Sequence, residues 1–198
     1  MRLLHSLTSP FARKVRVTLL EKGLACEPVV LLAGDASVSA VNPLGKVPAL
    51  LRADGTALYD SPVIVQYLAV LVPTPSLFPA DPLARIEVLR LEALCDGICD
   101  AAVLRMIEGR RDPARQDPNA VAHQAAKITR GLAVLQAELG DRAYAVGDTY
   151  TLADTCVAMA IGYIDLRAPE LLAPFPALVE RYAAMLARPS LAATVPPR

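Results

Sequence analysis

Two serine–proline pairs, Ser9-Pro10 and Ser61-Pro62, stand where the chain passes from irregular stretches into helical patterns. A serine just before a helix accepts a hydrogen bond from the first turn, and a proline at the first helical position has its φ already set, so both helix starts are predicted to be clean. Such a start presents unpaired N–H groups and a partial positive charge, which can receive a carboxylate or a thiolate. Two of them suit a ligand with several anionic groups. Capping alone also accounts for either serine and is worth about 1 kcal/mol. Thr8 is a competing hydroxyl, although only Ser9 directly precedes the N1 proline.

A third segment, Asn42-Pro43-Leu44-Gly45-Lys46-Val47-Pro48, is rich in turn residues and feeds into a strand-like run. Pro48 at the strand start can accept a cis bond with Val47. Because proline has no N–H, the sheet edge there is incompletely paired, leaving the N–H and C=O of Val47 to bond an extended peptide. A peptide-like, anionic ligand fits all three places.

The elements that must position these residues alternate strand and helix over the first 72 residues, as an α/β unit does. Arg2 to His5 reads as a strand, Phe11 to Gly23 as a helix ended by glycine, and Pro28 to Leu32 as a second strand. Pro48 to Leu51 and Thr56 to Tyr59 form a hairpin turning at Asp54-Gly55. A helix follows from Pro62 to Leu71, with Ile64, Tyr67, Leu68 and Leu71 on one face. Prolines in Val72 to Ser76 and Pro79 to Pro82 interrupt all periodicity, so residues 73–82 read as a linker. Residues 83–198 read as all-helical: Leu83 to Ile107 with a stripe through Ile86, Leu89, Ala93, Ile98 and Ala101, then Ala120 to Leu139, Leu152 to Ile164 and Ala177 to Leu186.

The runs Thr8-Ser9-Pro10-Phe11-Ala12-Arg13-Lys14, Asn42 to Leu50 and Asp60-Ser61-Pro62 resemble, in order, the glutathione-site motifs of the glutathione S-transferase superfamily. Gly147 to Asp154 is similar to the helix-start motif of that superfamily's C-terminal domain, so the resemblance covers essentially the whole chain. Read on its own, the Thr151 and Asp154 pair is capping-box-like, with only a weak hydrophobic staple because the partner of Tyr150 would be Thr155. The resemblance implies a thioredoxin-like N-terminal domain over 1–72, a C-terminal helical bundle domain over 83–198, and glutathione as co-substrate on the first. By matching position, Ser9 would hydrogen-bond the thiolate, with Phe11 beside it. Val47 would pair with the cysteinyl backbone next to Pro48, Asp60 and Ser61 would hold the γ-glutamyl end, and Lys46 would approach the glycyl carboxylate. Serine cannot form a mixed disulfide, so conjugation of glutathione to a small electrophile is expected ahead of glutathione-dependent reductase or peroxidase chemistry. A non-catalytic glutathione- or partner-binding module is the remaining alternative. The helix holding Asp96-Gly97-Ile98-Cys99-Asp100 resembles part of a dimer interface, which implies a homodimer whose Asp100 reaches the neighbouring subunit's glutathione. Read alone, Asp100 is an acid in a solvated row with Glu92 and Asp96. Gly97 would permit close approach of another helix.

Composition narrows the alternatives. A chain of 198 residues, 54% apolar, can bury a core, and 20 basic against 20 acidic residues leave no formal net charge. The basic residues are scattered, so neither nucleic acid nor an anionic membrane is expected as a partner. Without a signal-like start or a long apolar run, a cytoplasmic location is expected. Cys26, Cys95, Cys99 and Cys156 form no CxxC pair and only two histidines are present, so no metal is expected. The expected transfer of glutathione involves no nucleotide. Arg105, Arg110 and Arg111 could receive an acidic electrophile, or simply oppose the dipole at a helix C-terminus.

Overall fold

The computed structural model describes residues 1–32 and 34–197. In the first unit, residues 1–78, the described residues form a four-stranded mixed sheet in the order β2-β1-β3-β4. Strand β1 (Arg2–His5) leads through helix α1 (Pro10–Glu21) to β2 (Glu27–Val30), which lies parallel to it. Strand β3 (Ala49–Leu51) then pairs antiparallel with β1, Leu4 opposite Ala49, and β4 (Ala57–Leu58) pairs antiparallel with β3, Leu50 opposite Leu58. The hairpin turns at Gly55, whose φ of 84° is the left-handed conformation glycine permits. This is a thioredoxin-like arrangement. Leu4, Leu31, Val38 and Ala49 pack into an apolar cluster on one side, joined by Val29, Val41 and Val47.

Helix α2 (Ser61–Leu71) buries Ile64, Val65 and Leu68. The expected stripe needs correction there: Leu71 is exposed and Tyr67 half-buried, while Val65 is inside. The proline-bearing stretch after α2 is tied down, because the Lys22 ammonium donates to the carbonyls of Pro73 and Pro75. Leu77 and Phe78 are buried, so the middle of the segment read as a linker belongs to the first unit. Residues 189–197 also group with that unit instead of with the helices preceding them, whereas Arg198 lies outside the described residues. Helix α1 supplies the reason: Arg13 donates to the carbonyl of Leu191 at 3.2 Å and to Thr194 Oγ1 at 3.4 Å.

The second unit, residues 79–188, is all-helical: α3 (Pro82–Gly109), α4 (Pro118–Leu139), α5 (Leu152–Arg167), α6 (Pro169–Leu172) and α7 (Pro176–Met185). Helix α5 is its centre, buried without interruption from Leu152 to Ile164. At its start Asp154 accepts the N–H groups of Thr151 at 2.9 Å and Ala145 at 2.8 Å, so one carboxylate holds both the helix cap and the preceding loop. Where a staple was expected to be weak, Tyr150 and Thr155 meet instead through their hydroxyls at 2.9 Å.

Helix α3 departs from the expected stripe. Its buried residues are Val88, Leu91, Glu92, Cys95, Ile98, Cys99, Ala101 and Ala102, whereas Ile86 is 57% exposed and Ala93 is exposed. Glu92 is thus an interior residue and not part of a solvated row; Asp96 is half-buried and Asp100 exposed. Within the chain the close helix approach is at Gly131 and not at Gly97. A Cβ on Gly97 would meet nothing within 4 Å, whereas one on Gly131 of α4 would come to 2.6 Å from Cγ1 of Ile98.

Candidate functional site

Sheet register explains why residues distant in sequence share one edge of the first unit. The C-terminal end of β1 lies beside the start of β3, which lies beside the C-terminal end of β4. The segments running into α1, into β3 and into α2 therefore gather at the same end of the sheet. They carry Ser9 and Phe11, then Lys46, Val47 and Pro48, then Asp60 and Ser61.

Ser9 caps α1 as the sequence leads one to expect: Ala12 N–H donates to its Oγ at 3.2 Å, and Arg13 N–H to its carbonyl at 3.0 Å. Accepting a bond leaves the hydroxyl proton of Ser9 to donate elsewhere. Thr8 sits in the turn before the cap and is half-buried, as are Ser9 and Phe11.

The start of α2 differs from expectation by one residue. Asp60 is its N-cap, with a carboxylate that makes no capping bond, and Ser61 is the first helical residue, 2% exposed. The proline is thereby at the second helical position. Neither the Ser61 hydroxyl nor the Asp60 carboxylate has a hydrogen-bond partner among the described residues. The helix start thus presents its N–H groups together with two unengaged side chains.

Between them, the Val47–Pro48 peptide bond is cis. Pro48 is buried, and Val47 leans on the apolar cluster under the sheet. Among the described residues no backbone hydrogen bond engages the N–H or C=O of Val47. Lys46 is exposed, and its ammonium has no carboxylate partner among those residues. What holds this loop is Asn42, the first residue of the turn-rich segment, to which the motif assigns no role. Asn42, 2% exposed, donates from Nδ2 to the Lys46 carbonyl at 2.8 Å and accepts Leu44 N–H on Oδ1 at 3.0 Å. An Asn-Pro pair two residues before a glycine is an Asx-turn signal that could have found it. Gly45, at φ 63°, completes the turn, and a Cβ there would stand 3.3 Å from Ser39 Oγ.

His5 lies near this end of β1, buried, with no hydrogen-bond partner for Nδ1. Burial first, and the charge of Arg16 second, hold its pKa below the ordinary value of 6.5. Asp100 belongs to the second unit, on the exposed side of α3. Among the described residues no three histidine, cysteine or acidic side chains cluster as metal ligands, and no helix is long and apolar enough to cross a membrane. Cys95, Cys99 and Cys156 are buried and in no disulfide among the described residues, and burial pushes the pKa of the half-buried Cys26 up.

Comparison with known proteins agrees with this geometry. The family model for the glutathione S-transferase N-terminal domain matches residues 3–76, and that for the C-terminal domain matches residues 94–189. An uncharacterised GST-like protein of Escherichia coli K12, YibF, is 39% identical over the full length of both chains. The crystal structure of a glutathione S-transferase from Methylobacterium radiotolerans, in complex with glutathione sulfonate, superposes with a TM-score of 0.94 at 42% identity, covering 100% of this chain and 95% of that one. A glutathione transferase family member from Pseudomonas fluorescens, with bound S-(propanoic acid)-glutathione, does so with a TM-score of 0.85 at 39% identity, over the whole of both chains. With both domain models matched in order and end-to-end similarity to its relatives, the chain belongs to the glutathione S-transferase family.

Proposed function

We propose that this protein is a cytosolic, homodimeric glutathione transferase that conjugates the thiolate of glutathione to a small electrophile, with residues 1 to about 72 as the glutathione-binding domain. The observation that carries the reading is the convergence, at one edge of one sheet, of a capped helix start with a free hydroxyl proton, an unpaired stretch of extended backbone and a second helix start bearing two unengaged side chains. Glutathione has a group for each. In this assignment Val47 pairs with the cysteinyl backbone, with Pro48 shaping the loop. Ser61 and its helix N-terminus take the γ-glutamyl carboxylate, and Asp60 takes the ammonium. Lys46 faces the glycyl carboxylate, while Phe11 flanks the sulfur. Asp100 comes from the neighbouring subunit to the same ammonium.

Ser9 then donates its hydroxyl proton to the sulfur at the positive end of α1, which favours thiolate over thiol. Each unit by which the thiol pKa falls corresponds to about 1.4 kcal/mol, a modest demand on one hydrogen bond and a dipole. The thiolate attacks the electrophilic carbon, a C–S bond forms, and either a leaving group departs or the adjacent carbon takes up a proton. Relatives support glutathione as the ligand: one is a complex with glutathione sulfonate, and another holds S-(propanoic acid)-glutathione, a thioether of the kind that such an attack yields.

The test is turnover of glutathione with an aryl halide. Ser9→Ala should lower kcat/KM by roughly 10- to 100-fold, the value of one hydrogen bond to a charged group, while costing only about 1 kcal/mol of stability as a lost cap. Ser9→Cys should gain mixed-disulfide reduction, since a thiol at a helix start is both nucleophile and leaving group. Full activity in Ser9→Ala with loss in Thr8→Ala would move the assignment to Thr8. Retention on a glutathione resin with no turnover across an electrophile panel would leave a binding module.

A further inference from the structure

Helix α1, which Ser9 caps, is buried along most of its length: Ala12, Val15, Val17 and Leu19 are inside, and so are the charged Arg13 and Lys14. Apolar contact is non-directional, so the aliphatic side chains hold the helix against its neighbours without fixing how far it slides or turns. Arg13 supplies direction. It lies one turn after Ser9, and its N–H donates to the Ser9 carbonyl at 3.0 Å. Its side chain, 3% exposed, donates from Nη2 to the Leu191 carbonyl at 3.2 Å and from Nε to Thr194 Oγ1 at 3.4 Å. These acceptors are themselves held, because buried Thr194 donates its hydroxyl to the Ser190 carbonyl at 2.9 Å. At the far end of α1 the Glu21 carboxylate accepts the Ser190 hydroxyl. All of these residues belong to the first unit.

Stability alone accounts for the tie between Glu21 and Ser190. It accounts less well for Arg13, because a guanidinium is costly to take out of water and an apolar side chain of similar volume often packs as favourably in its place. What the guanidinium adds is a rigid planar fork, whose donors are met in only one geometry. One turn from Ser9, that fork acts on where the cap stands.

We propose that Arg13 is a positioning residue for Ser9, through which residues 190–194 set the pose of the first turn of α1 and thereby how strongly the Ser9 hydroxyl favours the thiolate. The inference rests on the assignment of Ser9 to the sulfur.

The experiment uses the full-length protein and three readouts: the pH titration of bound glutathione by thiolate ultraviolet absorbance, kcat and KM with an aryl halide, and amide hydrogen exchange without ligand. Arg13→Lys keeps the charge and loses the fork, and Thr194→Val removes one acceptor. Each should raise the titration midpoint by about half a unit or more and lower kcat, at a pH below the midpoint, by about threefold or more. KM for glutathione should stay nearly unchanged, and Thr194→Ser should restore the original values. Ser190→Ala, which unties the far end of the helix, should lower the urea midpoint and leave the thiol titration alone. Exchange at the Ala12 and Arg13 amides should quicken in Thr194→Val and not in Ser190→Ala. If Arg13→Lys fails to fold by circular dichroism, Thr194→Val decides. An unchanged titration and unchanged first-turn exchange in Thr194→Val, or equal shifts in Ser190→Ala, would overturn the inference. An unmutated protein that binds no thiolate would instead sink the Ser9 assignment, and the exchange pattern would still decide whether residues 190–194 fix the first turn.

Discussion

At the scale of single residues, the candidate site consists of groups that are placed and left unengaged, and His5 shows the cost of placing a titratable group among them. Its ring is inside the sheet end with Nδ1 unpartnered, and burial together with Arg16 favours the neutral form. A base whose folded pKa is depressed contributes stability that is fully present above its unfolded value, and loses it as pH falls through the folded value. Urea midpoints should therefore decline between about pH 7 and about pH 5. His5→Gln should flatten that decline and His123→Gln, on an exposed position, should not; a slope identical in all three proteins would assign it to other groups. Nothing in the sequence around His5 distinguishes it from an exposed histidine, since its environment is built by strands and helices that come later. The serines are a different case. Ser9 and its proline are a local device, legible because a cap needs only its own first turn, whereas the cap at α2 shifted to Asp60, where serine and aspartate are both competent and propensity does not choose. Asn42 is legible as an Asx-turn residue, and it holds the backbone of Leu44 and Lys46.

Elements were read well where one face is apolar and poorly where two are. Helix α3 carries a buried row through Val88, Leu91, Cys95, Ile98 and Ala102, and an exposed apolar row through Leu83, Ile86, Ala93, Leu104 and Ile107. The periodicity of either row is helical, so the pattern identified the helix and merged its faces: the stripe through Ile86, Ala93 and Ile98 crosses from one to the other. Short helices such as α6 and the turn Pro189–Ala192 near the chain end have no signal in the pattern, because four residues carry no periodicity. Packing between α3 and α4 depends on Gly131, and this yields a prediction with competing terms. Alanine is intrinsically preferred to glycine inside a helix by about 1 kcal/mol. Its Cβ would sit 2.6 Å from Cγ1 and 3.0 Å from Cδ1 of buried, β-branched Ile98, an overpacking that costs about 1–3 kcal/mol. The second effect should win, so Gly131→Ala lowers the urea midpoint. Combining it with Ile98→Ala should give less than the sum of the two losses, since the shortened side chain vacates the contact; strict additivity would mean the clash is absorbed elsewhere.

For the whole molecule, what local pattern could not supply is the return of the chain end. Residues 189–197 join the first unit through bonds from Arg13 to Leu191 and Thr194, partners nearly the full chain length apart, and nothing in either segment announces the other. The exposed row on α3 poses the larger question, because monomeric proteins rarely leave an apolar stripe of this length in water. Leu83, Ile86, Arg90, Ala93, Gly97, Asp100, Leu104 and Ile107 follow one another at alternating three- and four-residue steps, the spacing of a helix seam that meets another helix. A second copy of this chain is the proposed occupant. In it Gly97, which faces open space within the chain, would lie at the closest approach, and Asp100 would stand one turn further on. The two residues separate the outcomes. Gly97→Ala in an isolated chain should gain up to about 1 kcal/mol, because the added methyl meets nothing. At a helix contact between subunits, Gly97→Leu should instead raise the dimer dissociation constant, as seen by light scattering over a dilution series. Asp100→Asn should leave the dimer intact and weaken glutathione binding by about tenfold, the worth of a charge-assisted bond to the γ-glutamyl ammonium. A dimer indifferent to Gly97→Leu would place the seam on another face, and unchanged glutathione affinity in Asp100→Asn would return that aspartate to the solvated surface.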